Sequence, residues 1–127
     1  GVRGRKFLIK RNFLLLDYTF LRKRGQEMKK LFISQPMSGK ADEEILAERK
    51  VAIKAAEELL REPVEVIDSF FQSAPVGAKP LWFIGKSLEF LSDADIAYFA
   101  KDWQKARGCK IEHERAVEYG IPRIDHV

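Results

Sequence analysis

The spacing of apolar positions changes repeatedly along this chain. "KLFIS" (30–34) is a short unbroken apolar run of the kind a buried strand shows. In "ADEEILAERKVAIKAAEELLRE" (41–62) apolar residues recur at Ile45, Ala52, Ala56 and Leu59 and at Leu46, Ile53 and Leu60, with acids in the first turn. That spacing predicts an amphipathic helix, ended by Pro63. "VEVI" (64–67) reads as a second strand and "DSFFQSAPVGA" (68–78) as a loop. Pro80 suits the first turn of a helix reaching about Leu91, and Asp93 and Asp95 bracket the start of a third strand, "IAYFA" (96–100). The polar loop "KDWQKARG" precedes a last helix, with Gly120 as its C-cap, and "IPRIDHV" supplies a fourth strand.

Strands alternating with helices predict a parallel sheet. The expected fold is a small doubly wound α/β domain, flavodoxin- or Rossmann-like, with a parallel sheet of four or five strands flanked by helices over residues 28–127. Its ligand site is expected beyond the carboxyl ends of the strands. The length of 127 residues and 46% apolar content suit one domain with one core.

The formal charge of +4 suggests nucleic-acid binding until it is divided. Residues 1–27 hold eight Lys or Arg against Asp17 and Glu27, whereas the other hundred residues carry fifteen basic and seventeen acidic groups. The basicity belongs to an appendage, and no nucleic-acid partner is expected for the domain. Within the appendage "FLLLDYTFL" lies between basic flanks, but Asp17 interrupts it, no small-residue cleavage site follows, and it is too short and charged to span a bilayer. Three readings stay open: an extra strand or helix over an apolar edge, a membrane-surface or partner-binding segment, or an upstream extension foreign to the native product. "MKKLFIS" reads like a natural start at Met28. Membrane contact is expected only if that extension is native. A single cysteine, Cys109, excludes an intrachain disulfide framework, and no Cys/His cluster has metal-ligand spacing. A reducing, cytoplasmic setting is expected, with no metal and no cofactor.

Two stretches carry candidate chemistry. The first strand delivers "SQPMSGK", hence Ser34, Gln35, Pro36, Met37, Ser38 and Gly39, to the ligand end of the fold. Small residues, free N–H groups and a following helix N-terminus make a cradle for a phosphate or sugar, or an ordinary turn with Ser38 or Asp42 capping the helix. The second stretch is "RGCKIEHERAVEYGIP" (107–122). At about 100° per residue, with Glu112 at zero, Ala116 falls near 40°, Cys109 near 60° and Tyr119 near −20°. Glu112 therefore shares its arc with small and apolar neighbours, whereas Glu114 and Glu118 face the other way. An inward carboxylate is costly unless hydrogen-bonded or ion-paired. Arg107, Arg115 or a lysine could pair with it structurally; otherwise it is a functional candidate.

The spacing Gly108, Glu112, Ala116, Gly120, Pro122, preceded by "SDADIAYFA", resembles the nucleoside 2-deoxyribosyltransferase-like superfamily. Its members read roughly A-D-x-x-V-A, a loop, then G-x-x-x-E-x-x-x-A-x-x-x-G-x-P. The similarity covers most of residues 29–125 and is greatest for a bacterial and phage branch sharing "FISQPMSG" and "VIDSFF". The resemblance implies that Glu112 is a nucleophile attacking C1′ of a (deoxy)nucleoside or nucleotide, with transfer to another base or hydrolysis to follow. It also implies a homo-oligomer.

Several positions depart from that pattern. Ser87 stands where the family has the aspartate that handles the leaving base. Phe32 replaces a tyrosine, Gln35 a glycine, Ala106 a phosphate-contacting serine and Glu114 a glycine. Asp102, in the loop after the third strand, is the candidate replacement carboxylate. Asp68 is placed for a sugar or base contact or as a loop cap, Lys105 and Arg107 for a 5′-phosphate or as solvated loop charges, and Gly108 is a further substrate-binding candidate. Trp82, Phe83 and Trp103 are candidates for stacking on a base, although the helical spacing of the first two with Leu88 and Phe90 favours packing for them. His113 reads as a hydrogen-bonded structural histidine. The competing expectation is a nucleotide-binding or sensing module that keeps the pocket without catalysis.

Overall fold

The computed structural model describes residues 28–69 and 74–127. The basic segment 1–27, with the three readings of it, lies outside the described residues. Strands β1 (Lys29–Ser34), β2 (Val64–Val66), β3 (Ile96–Phe99) and β4 (Arg123–Asp125) form one parallel sheet in the order β2-β1-β3-β4. Helix α1 (Asp42–Leu60) covers one face, and α2 (Pro80–Leu91) and α3 (Arg107–Glu118) cover the other. This is a small doubly wound, Rossmann-like α/β fold.

The two central strands are apolar at every buried position except Ser34 because both of their faces are covered. Leu31, Ile33, Ile96 and Tyr98 pack toward α1, where Ala52 and Ala56 let the helix approach closely. Phe32, Ala97 and Phe99 pack the other way with Leu91 and Ala116. The edge strands are three residues long and partly exposed.

The helix ends follow local rules. α1 stops before Pro63, with Arg61 left-handed at φ 59° and its N–H bonded to Glu57 O at 2.8 Å. Neither Ser38 nor Asp42 caps its start. The N-cap is Ala41, and Glu44 Oε1 reaches back to accept the Ala41 N–H at 3.1 Å. α3 closes in a Schellman turn: Ile121 N–H bonds to Ala116 O at 2.9 Å and Gly120 N–H to Val117 O at 3.3 Å, with Gly120 at φ +72°. Asp95 fastens the start of β3 to β1, its Oδ2 accepting the Lys30 N–H at 2.7 Å. No helix among the described residues is long and apolar enough to cross a membrane.

From β1 the chain crosses to β2 on one side, then returns past β1 to β3 on the other. The connections diverge between the carboxyl ends of β1 and β3, which opens a crevice there.

Candidate functional site

β1 alternates its side chains across the sheet, so Ser34 points toward α3 and Gln35 toward α1. On α3 the residues spaced by three and four from Glu112, Cys109 and Ala116, are buried with it. These two periodicities bring Ser34 Oγ to Glu112 Oε1, where the hydroxyl donates at 2.6 Å. Glu112 is 8% exposed and Ser34 2%. Among the described residues no cation pairs with Glu112; Arg115 instead meets Glu114 and Glu118 on the outer surface.

Burial raises the pKa of Glu112 above the ordinary carboxylate value, and the Ser34 and Ser87 hydroxyls pull it partway back. Burial likewise pushes the Cys109 thiol up to about 11, helped by the negative charge of Glu112 and opposed by Ser34 and Lys40. Both groups border a cleft of about 250 Å³ lined by the carboxyl end of β1 and the turn after it, Ser69 beyond β2, Ser87 of α2 and the start of α3. Gly108 lets α2 come close to that start, since a Cβ there would meet Ile84 Cδ1 at 3.2 Å.

Of the residues expected at the site, Glu112, Ser87, Phe32, Ser34, Gln35, Pro36, Met37 and Gly108 line the cleft. Gln35 lines it with a side chain already engaged. Its amide oxygen accepts from Arg49 Nη1 at 3.1 Å, and its Nε2 donates to Glu48 Oε1 at 2.9 Å and to Ile45 O at 3.3 Å. This makes Gln35 the brace between β1 and α1 more than a ligand contact. Lys40 completes the brace by donating to Glu48 Oε2 at 2.7 Å.

The remaining candidates are not brought into the cleft lining. Ser38 and Gly39 are exposed in the turn, and Asp68 is exposed after β2, where its charge acts on Arg49. Asp102 sits left-handed at φ 67°, with its carboxylate 3.6 Å from Lys105 Nζ. It does not supply a second carboxylate to the cleft wall. Arg107 and Lys105 are exposed, and Trp103 is stacked on the His113 ring at 3.9 Å. His113 Nε2 lies 3.0 Å from Asp125 Oδ2, a structural tie between α3 and β4. Trp82 meets Phe83 edge to face at 5.1 Å.

Four lining residues were not among the expected site residues, Ile33, Ser69, Ala106 and Cys109, although the resemblance matches Ala106 to a phosphate-contacting position. The helical arithmetic that placed Glu112 also puts Cys109 on its arc. Tyr119 goes the other way: it shares the arc of Glu112 but is 76% exposed, because the helix has passed the sheet and is turning at Gly120. Among the described residues no group of three His, Cys, Asp or Glu side chains stands together to hold a metal ion. Compared with protein-family models, with curated proteins and with solved structures, the chain matches none.

Proposed function

We propose that this protein cleaves or exchanges the N-glycosidic bond of a (deoxy)nucleoside or nucleotide, with Glu112 as the nucleophile. One observation carries the reading: Glu112 is a buried carboxylate held by a serine hydroxyl, without a cationic partner among the described residues, in the wall of a cleft. A carboxylate kept only for stability is ordinarily ion-paired when it is buried this far. The resemblance of the 108–122 spacing to the deoxyribosyltransferase-like superfamily points the same way, and with it come a small-molecule nucleoside or nucleotide substrate and a homo-oligomeric assembly.

In the proposed reaction a Glu112 oxygen attacks C1′, the C1′–N bond breaks, and its electron pair leaves with the base. A second base or a water then attacks C1′ and the ester bond breaks, restoring the carboxylate with net retention. The Ser34 hydroxyl holds the attacking carboxylate in place and favours its ionised form. Incubation with purine and pyrimidine nucleosides, deoxynucleosides and their monophosphates, followed by chromatography, is expected to reveal free base. Glu112→Gln is expected to reduce that release to the protein-free rate. Release that survives the substitution removes Glu112 from the chemistry.

The second reading, a binding or sensing module, is favoured by Ser87 in the place of a carboxylate and by the outward position of Asp102. It expects ligand-induced thermal stabilisation, about 2.7 kcal/mol at a hundredfold excess over Kd, with no base released.

A further inference from the structure

N-glycosidic cleavage has two demands, a nucleophile at C1′ and a way for the base to depart without a full negative charge. The described cleft meets the first and not the second. Among the described residues its lining contains two ionisable groups, the Glu112 carboxyl and the Cys109 thiol, and no Lys, Arg, His or second carboxyl. The nearby acids are occupied elsewhere: Asp102 faces Lys105 in the outer loop, and Glu48 is bonded to Gln35 and Lys40. The cleft thus carries one formal charge, a buried carboxylate with serine hydroxyls around it. Such a site is complementary to a cation, which also needs no proton to leave.

We infer that the cleft takes glycosides whose base already bears a positive charge, an N-alkylated or otherwise quaternised heteroaromatic ring, in preference to neutral purine and pyrimidine nucleosides. The inference rests on Glu112 being the nucleophile. When a Glu112 oxygen bonds to C1′, the electron pair of the C1′–N bond returns to the ring nitrogen and cancels its charge, so the base departs neutral. Water then attacks C1′, the C1′–O bond to Glu112 breaks, and the proton passes to solvent. A neutral nucleoside broken in the same way releases an anionic base, which finds no second carboxyl and no cation in the described lining.

The test compares substrates differing by one ring N-methyl group and the positive charge it brings: 7-methylguanosine against guanosine, and the same pair in the 2′-deoxy series. The full chain is used, and protein-free rates are subtracted because the methylated compounds are the more labile. General acid catalysis contributes about 10²–10⁴-fold, so kcat/KM for the methylated member is expected to exceed that of its neutral partner by at least about 10²-fold. Equal or faster consumption of the neutral member overturns the inference and leaves the glycosidic reading intact. Base release from none of the four compounds, nor from the wider nucleoside panel, overturns both. Ser87→Asp supplies the independent check. It sets a carboxyl beside Glu112, whose charge keeps it protonated, and is expected to narrow the ratio at least about tenfold by accelerating the neutral member. A ratio that does not narrow counts against the inference.

Discussion

Replacing Glu112 with glutamine is expected to stabilise the protein at neutral pH and to leave its stability nearly unchanged near pH 4.5. Burial is the largest influence on this carboxyl and raises its pKa, and the two serine hydroxyls do not cancel it. The folded state therefore binds the proton more tightly than the unfolded chain, whose glutamates titrate at about 4.3. Below that value both states are protonated and burial costs no charge. As pH rises through the higher folded pKa, the fold must hold an anion that the unfolded chain leaves in water, and stability is lost. Glutamine keeps an oxygen to accept the Ser34 bond and turns its amide N–H groups to the cleft, where water can receive them. A hydrogen bond to a charged group contributes about 1.5–3 kcal/mol and a neutral one about 0.5–1.5, so the exchange forfeits about 1 kcal/mol there. Removing a buried charge returns several kcal/mol of desolvation at most. The net is a gain of about 1–2 kcal/mol, with each kcal/mol raising Tm by roughly 4–8 °C in a domain of this size. A structural ion pair behaves oppositely, since deleting one partner costs about 3–5 kcal/mol. Thermal melts of both proteins at the two pH values decide between them. A lower Tm for the variant at neutral pH, or a gap that does not change with pH, refutes the reasoning.

Other outcomes follow from the same geometry. Ser34→Ala removes the 2.6 Å donor, so the Glu112 pKa rises further and the acidic limb of any pH–rate profile moves to higher pH; chemical denaturation at neutral pH should show a loss of about 1.5–3 kcal/mol. The Cys109 thiol, 6% exposed and with its pKa at about 11, should react with a disulfide reagent at pH 8 more than about 10²-fold more slowly in the native protein than in the urea-unfolded chain. Gly120→Ala meets no atom within 4 Å but must hold φ +72°, so urea titration should register a backbone cost of about 1–2 kcal/mol and nothing more.

Much of the fold was readable because period and punctuation agreed. The run "LFIS" became the central strand because a strand covered on both faces needs no alternation, and Pro80 and Gly120 mark helix ends whose backbone they suit. Arg49 was not readable. It falls beside Ala52 and Ala56 on the seam of α1, where a charge is unfavourable, and, with the charge of Asp68 acting on it as well, the long-range bond to Gln35 Oε1 makes the burial tolerable. That partner stands 14 residues away across a turn, beyond any helical or strand period.

The candidate site divides along the same line. Glu112 was legible because its burial follows from rotation about one helix axis, a property local to twelve residues. Asp102 was not, because its direction depends on a left-handed residue in a loop, and aspartate adopts that conformation without any signature in its neighbours. The difference bears on function directly. The Glu112 carboxylate, placed by a helix and a strand, is held by two rigid elements, whereas an acid placed by a loop depends on a turn that can point either way. With that turn pointing outward, the described lining holds the proposed nucleophile without a second carboxyl to act as general acid. In the reaction we propose, the chemical demand then passes to the substrate, which must bring a leaving group able to depart unassisted.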